Sequence, residues 1–454
     1  MNIPAGPAQI LKTLNDSGFQ AYAVGGCVRD TLLGTVPGDW DICTSARPEQ
    51  TEACFPELHV VETGIKHGTV TVVLQGTPYE VTTFRTEGDY LDHRRPEQVQ
   101  FVRSLREDLQ RRDFTINAMA VGLDGEIRDP FDGRNDLEHR LIRCVGDPER
   151  RFEEDALRIL RGLRFAARLG FSIEAETAAA MERKKQLLVC ISGERIYKEL
   201  TGILVGKYAR QVLERYGGIL TGILPEIVPA MGFRQHSPFH NRDVWSHTLE
   251  ALGKSGTDPM VRWALLLHDL GKPDCFTLDD RGVGHFYGHP RRSMELAEEI
   301  FERLRSDKKT RETVCLLVRD HDREAPATLK NARRWIAQYG PEVLPLLLEV
   351  KRCDCLAHVD TPKTRQRYDN LMEMTRLIGE CMEREHCFTI RNLPVNGSDV
   401  MAMGIPAGPQ VGRLLQELLD AVLDGACQPE RQQLMDLLKK RVAALRNGKE
   451  QYGG

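Results

Sequence analysis

No apolar run in the 454-residue chain approaches the roughly 18 residues that a membrane-spanning helix needs, so no membrane association is expected. The opening MNIPAGPAQILKTLNDSG lacks the basic flank and apolar stretch of a secretory signal. No CxxC occurs among the twelve cysteines, whose closest pair is Cys353-x-Cys355, and this argues against structural zinc of the usual spacing. Scattered thiols suit a reducing compartment, so a cytoplasmic protein is expected. A basic excess is missing too. The 62 Lys and Arg face 66 Asp and Glu, a net charge of −4, which does not advertise a general polyanion binder but leaves a local basic face open. Internal repeats and low-complexity tracts are absent, which argues against a solenoid.

What is present is an ordinary folding composition, 41% hydrophobic and 28% charged, in a length that predicts about three domains. Residues 1 to about 145 mix β-rich runs (Phe19–Val24, Val70–Leu74, Tyr79–Arg85, Gln98–Val102) with helical stretches. From Asp147 onward the pattern reads as almost wholly helical, with one helix over Phe152–Leu169 closed by Gly170.

A first constellation follows the strand Phe19–Val24. Gly25-Gly26 leads into CVRDTLLG, where backbone amides and Arg29 can approach a triphosphate; taken alone, the pair is equally a tight strand-to-helix turn. Asp39-Trp40-Asp41 is expected to open the next strand, with both carboxylates on one face as a hard oxygen site for Mg²⁺. Two such ions can activate an attacking hydroxyl and stabilise a leaving pyrophosphate. Glu80 is the candidate third acid, or else an exposed strand glutamate. Arg111-Arg112-Asp113 can clamp phosphate oxygens, or form a surface charge cluster with Asp113 as an N-cap.

A second constellation is made of histidines. Seven of thirteen fall within residues 236–321, where an even spread gives about 2.5. His247, His268-Asp269, His289, His321 and Asp354 form an ordered set of imidazoles and carboxylates suited to divalent transition metals, with Asp322 a rival for the last place. Further on, Gly404–Gly412 precedes a helix, and Lys439, Lys440, Arg441, Arg446 and Lys449 cluster near the end. Each can meet RNA phosphates, or be a plain loop and a solvated helix end.

The motifs GGCVRD (25–30), DWD (39–41), RTEGDYLDHRRPEQVQFV (85–102), RRDFTINA (111–118), DPFDG (129–133) and EEDALRILR (153–161) resemble those of the class II tRNA nucleotidyltransferases, the CCA-adding enzymes, and of bacterial poly(A) polymerases. GERIYKEL (193–200) and LPVNGSDVMAMGIPAGPQVGRLL (393–415) extend the likeness over nearly the whole chain. The resemblance implies a multidomain α+β protein. A polymerase-β-type nucleotidyltransferase head (1–145) would precede an all-helical neck (146–232) and a body and tail that bind tRNA (359–454). It also implies Mg²⁺ at Asp39 and Asp41, nucleotide contacts from Gly26, Arg29, Arg112, Asp155, Arg158, Arg161 and Arg164, and addition of CTP- and ATP-derived nucleotides to the tRNA 3′ end. Loop 85–102 resembles the segment that accompanies terminal A addition. The histidine region (233–358) is similar to HD phosphohydrolases, which implies one metal on His247, His268, Asp269 and Asp354, a second available to His289 and His321, and Mn²⁺, Ni²⁺ or Co²⁺ as the ion.

Template-free choice of base is expected from Asp155 and Arg158, at i and i+3 of one helix face. Cytosine and adenine both present an amino donor beside a ring acceptor, which a carboxylate and a guanidinium match; guanine and uracil present the reverse. The alternatives are a poly(A) polymerase or A-only enzyme, a phosphohydrolase whose head merely holds RNA, and a non-catalytic tRNA binder. The intact DWD and RRD motifs speak against the last two.

Overall fold

The computed structural model describes residues 1–87 and 99–450, and side chains as far as Arg446 apart from those of Thr63, Lys66, Glu87 and Val99. Most of the loop expected to accompany terminal A addition, residues 88–98, therefore lies outside the described residues, as does the Lys449 side chain. The chain divides into two compact units, residues 1–229 with 299–307, and 230–298 with 308–454. The four expected segments are thus grouped in pairs, with 299–307 joining the first.

The first unit opens with α1 (Ala5–Asp16), β1 (Ala21–Val24), α2 (Gly26–Leu32), β2 (Ile42–Thr44), α3 (Pro48–Cys54), β3 (His59–Gly64), β4 (Thr69–Leu74) and β5 (Thr77–Thr83). The short pair β6 (Arg85–Glu87) and β7 (Val99–Phe101), helix α4 (Leu105–Gln110), β8 (Ala120–Val121), β9 (Ile127–Arg128), α5 (Gly133–Glu138) and β10 (Leu141–Ile142) follow. Seven strands form one mixed sheet in the order β3-β4-β5-β2-β1-β8-β9, with β2 and β5 parallel and their neighbours antiparallel. Alternation along β4 buries Val70, Val72 and Leu74, and α1 adds Ile10, Leu11 and Leu14, all fully buried.

Two expectations change. Asp39 and Asp41 stand ahead of β2 instead of opening it. The Asp41 carbonyl nevertheless accepts the Val24 amide at 2.9 Å, so the segment is already docked at the end of β1. The helix expected over Phe152–Leu169 is two, α6 (Pro148–Glu154) and α7 (Leu157–Leu169), because Asp155 takes an extended conformation (φ −138°, ψ 101°). The region beyond Asp147 is almost wholly helical, as expected, with short exceptions: β11 (Ser172–Ile173) pairs in parallel with β10, and β12 (Thr277–Leu278) forms a hairpin with β13 (Gly284–His285). Gly170 ends α7 with φ +71°, the left-handed turn expected of a C-cap glycine.

Helices α8 (Ala175–Lys184), α9 (Gly193–Leu204) and α10 (Ala209–Leu220) complete the run to residue 229. Residues 299–307 seal it: Phe301 meets Tyr197 edge-on at 6.3 Å, and Arg303 pairs with Glu226 at 2.8 Å. A side chain at Gly193 would strike the Arg303 carbonyl.

The second unit holds α11 (Val244–Lys254), α12 (Pro259–Leu267), the start of α13 (His289–Arg303), α14 (Lys308–Asp320), α15 (Leu329–Ala357) and α16 (Pro362–Arg384). α17 (Gly397–Ala402), α18 (Pro409–Leu423) and α19 (Arg431–Glu450) close on a core that includes Val400, Leu414, Leu418, Leu434 and Leu438. Among the described residues no helix is long and apolar enough to cross a membrane.

Candidate active sites

In the head, the β2–β5 register sets Ile42 opposite Val81, so the residues just before them, Asp41 and Glu80, are neighbours across the parallel pair. Burial pushes the Asp41 carboxyl up to about 6, and the charges of Asp39 and Glu80 add to the rise, while Arg112 opposes it. Crowded acids that resist ionising together are a seat for a cation. Gly25, at φ +82°, turns the chain from β1 into α2, and a Cβ there would stand 2.9 Å from Arg112 Nη1. Gly26 opens α2.

The two adjacent arginines differ. Arg111 is held by Asp108 at 2.8 Å, whereas Arg112 reaches Asp108 only at 3.5 Å and its buried Nε has no hydrogen-bond partner. Arg112, beside the glycine turn and the acids, is the one left with capacity for an anion.

Asp113 is not a surface cap. It is buried and accepts from Phe114 N (2.8 Å), Asn117 Nδ2 (3.2 Å) and Arg161 Nε (2.7 Å). Burial alone would raise its carboxyl, but Arg161 and these donors bring it down to about 2. Asn117 Oδ1 accepts in turn from Arg29 Nη1 at 2.6 Å, so Arg29 in the head and Arg161 in the neck are tied through Asn117 and Asp113. Arg29, Arg161 and Arg164 all stand over the Phe165 ring, 5.2, 5.5 and 5.4 Å from its centre. Arg164 also pairs with Glu199 at 3.0 Å.

The break before α7 separates the expected base-reading pair. Asp155 sits in the break and pairs with Arg195 at 3.1 Å. Arg158 points into the protein, bonded to Glu154 at 2.8 Å and to the Arg111 and Arg151 carbonyls. The two do not share a helix face, because α6 stops at Glu154 and Asp155, whose carboxylate accepts from Leu157 N at 3.1 Å, lies extended in the break before α7.

In the second unit, capped helices deliver the histidines. Asp243 caps α11, which carries His247, and Asp258 caps the apolar α12, which ends at His268. His289 begins α13, His321 follows α14, and Asp354 lies on α15. All six expected ligands converge and are buried. His247 Nε2 is 2.9 Å from Asp354 Oδ1, and His268 Nε2 is 3.2 Å from Asp269 Oδ2. His289 and His321 Nε2 lie 3.4 and 3.8 Å from Asp269 Oδ1 and 3.4 Å from each other. The Nδ1 atoms of His268, His289 and His321 face the carbonyls of Leu265, Phe286 and Val318 at 2.7, 2.9 and 2.6 Å, which fixes the tautomer and aims each Nε2 inward. His268 Nε2 is fully buried and faces the carboxylates of Asp269 and Asp354, at 3.2 and 3.7 Å. That donor set fits a divalent transition metal.

The carboxylates of Asp269 and Asp354 raise His268 to about 10 although burial opposes the charge, while burial pushes His321 down to about 3. Asp322, the rival ligand, is instead held by Arg367 at 2.6 Å. His240 and His358 were not anticipated. They join His247 in a further group of imidazoles, and Lys272 pairs with Asp269 at 2.7 Å. His358 follows Asp354 by four residues, a helical spacing that could have flagged it; His240 sits in a loop and carries no such signal.

Near the C-terminus the two expected phosphate-binding patches meet: Arg446 donates to the Met403 carbonyl at 2.7 Å, beside the glycine-rich segment that precedes α18.

A mixed sheet carrying clustered acids beside a glycine turn, followed by helices and a histidine–aspartate centre, defines a nucleotidyltransferase class with an appended HD domain. Residues 21–143 match the family described as "Poly A polymerase head domain", 170–231 "Probable RNA and SrmB- binding site of polymerase A", and 244–358 "HD domain". The chain is 37% identical to a CCA-adding enzyme of Geobacillus thermodenitrificans over 95% of this chain and 96% of that protein. It is 36% identical to one of Streptococcus mutans over 95% and 96%. The solved Bacillus stearothermophilus CCA-adding enzyme in complex with CTP superposes with a TM-score of 0.74 at 31% identity, covering 99% of this chain and 100% of that one. The chain belongs to the CCA-adding enzyme family.

Proposed function

We propose that the protein adds CCA to the tRNA 3′ end from CTP and ATP without a nucleic-acid template. The observation that carries this is the meeting of Asp39, Asp41 and Glu80 with the Gly25 turn and the unsatisfied Arg112. Asp39 and Asp41, with Glu80 as a third acid, would hold Mg²⁺, which activates the attacking hydroxyl and neutralises the leaving pyrophosphate when bound. Arg112 and Gly26 serve the triphosphate. Arg29, Arg161 and Arg164 hold the nucleotide against the neck, their positions set by Asp113, Asn117 and Phe165. Asp155 and Arg158 read the base once Asp155 leaves Arg195 and Arg158 leaves Glu154. The glycine-rich segment and Arg446 take tRNA phosphates, as shape-based recognition of a compact RNA requires. Twelve free cysteines support a cytoplasmic setting.

Incubating the protein with tRNA that ends before CCA, with CTP, ATP or both, and sequencing the products tests this reading. Growth by CCA is expected; growth by A alone, or by a run of A, points to the A-only or poly(A) alternatives.

A second activity is favoured by the convergence of buried His247, His268, Asp269, His289, His321 and Asp354, three of whose imidazoles are pinned through Nδ1. His247, His268, Asp269 and Asp354 would hold one Mn²⁺, Ni²⁺ or Co²⁺ ion, with His289 and His321 available to a second, and the ion would polarise a phosphoester for attack by water. Hydrolysis of a 2′,3′-cyclic phosphate across a panel of these metals tests it.

A further inference from the structure

A cavity of about 760 Å³ opens over the histidine centre, and one of its walls has no part in holding a metal. Tyr287 lines this wall with 79% of its surface exposed. The ring stands two residues before His289, within roughly 7 Å along the chain. The turn between them is closed by His289 Nδ1 against the Phe286 carbonyl and by Gly288 at φ +83°.

Tyr287 is held in place before any ligand arrives. The His285 imidazole stacks on it at 5.4 Å with 6° between the planes, and the tyrosine hydroxyl lies 3.4 Å from His285 Nδ1. His285 Nε2 meets Asp279 Oδ2 at 3.1 Å, and Asp279 Oδ1 accepts the Arg281 and Val283 amides at 2.9 Å each. The hairpin therefore presents a fixed aromatic plane, backed on one side by imidazole, at the mouth of a cavity with cations on its other walls. Lys272 is beside Asp269, and Lys363 and Arg367 come from α16.

We propose that Tyr287 is a base-stacking platform, so that the cavity takes a nucleoside phosphate, free or at an RNA 3′ end, with its phosphate at the histidine centre. This rests on the phosphohydrolase reading above. Stacking on an aromatic face accepts any base, because every base has a π-face. The cavity volume falls in the range of small-molecule sites.

The test compares three esters on the full-length, metal-loaded protein: adenosine 2′,3′-cyclic phosphate, an oligoribonucleotide ending in the same group, and 1-O-methylribose 2,3-cyclic phosphate, which has no base. Tyr287→Ala is expected to raise KM at least about fivefold for both base-bearing esters, with kcat little changed and the base-free ester unaffected. Tyr287→Phe, which keeps the ring, is expected to restore the low KM. The relative kcat/KM of the first two esters tells a free nucleotide from an RNA end. An equal change for all three esters, or no change for any, overturns the proposal. If the wild type hydrolyses none of them, the hydrolase reading falls, and calorimetric binding of adenosine 2′-monophosphate decides the platform. A fivefold weaker affinity in Tyr287→Ala supports it, and an unchanged affinity overturns it.

Discussion

Replacing Asp113 by Asn removes the charge that ties the head to the neck within the first unit while leaving a side chain of the same shape. Asp113 keeps a folded pKa of about 2 against 3.8 for the free group. At about 1.4 kcal/mol per unit that is about 2 kcal/mol of stability. The carboxylate side chain is only 7% exposed, so solvent screening takes little from this figure. The Arg161 side chain is 35% exposed and can turn to water when its partner goes, which keeps the loss below the 3–5 kcal/mol of a fully buried pair broken on one side. Asn retains an oxygen for Phe114 N and Asn117 Nδ2 but turns an amide N–H₂ toward Arg161, so what is lost is the charge together with its hydrogen bond to Arg161. Because the folded pKa is depressed, the contribution is complete above pH 4 and fades as pH falls through about 4 to 2. Native-state hydrogen exchange at Thr115–Asn117 and along α7 reads this unit without assuming that a multidomain chain unfolds in one step. A gap of about 2 kcal/mol between wild type and variant, constant from pH 8 to 5 and closing below 4, is expected. A gap under about 0.5 kcal/mol, or one that persists unchanged at pH 2, refutes the argument.

Asp41→Asn should abolish nucleotide incorporation into tRNA while cyclic-phosphate hydrolysis continues; near-normal incorporation sinks the metal assignment. Burial and the neighbouring acids push the Asp41 carboxyl up to about 6, so proton and Mg²⁺ compete for it. Addition should fall about tenfold per pH unit below 6, with the midpoint moving to lower pH as Mg²⁺ is raised, and a midpoint indifferent to Mg²⁺ counts against this. The folded pKa here is raised, so the metal-free head loses stability as pH climbs from about 4 to 6, and Mg²⁺ should lift Tm more at pH 7.5 than at pH 5. His268→Ala should remove hydrolysis and lower metal content by elemental analysis, yet spare CCA addition. Asp155→Ala and Arg158→Ala should raise UTP or GTP use relative to CTP and ATP; variants that slow down but keep wild-type selectivity show that the pair does not read the base.

Much of the head was legible because its chemistry is local: a glycine turn and two acids two residues apart fall within GGCVRD and DWD, each next to a short strand. The histidine centre was legible for another reason, since ordered His and Asp side chains are rare in apolar helices without a ligand. What escaped was set by competition between a side chain and the backbone. The run EEDALRILR has helical periodicity throughout, yet Asp155 lies extended with its carboxylate on Leu157 N, and periodicity cannot register that choice. The roles within RRD also depend on distance: Arg111 and Arg112 are alike in sequence, and only the position of Asp108 commits one and leaves the other short. Partners such as Arg195 for Asp155, 40 residues away, or His240 for His247 and His358, follow from tertiary packing, which no short window contains.

Residues 299–307 give the order of biosynthesis a physical meaning. The first unit is complete only when Phe301 and Arg303 reach Tyr197 and Glu226, and these lie just over 70 residues beyond residue 229. At about 5–20 residues per second, a ribosome needs roughly 4–15 s to supply them after the neck has emerged. During that interval the nascent head and neck carry an open seam where Gly193 awaits the Arg303 backbone, a surface for a chaperone to shield. A gene cut after codon 229 would make that seam permanent, whereas one in which a copy of the 299–307 segment is fused behind the neck would close it.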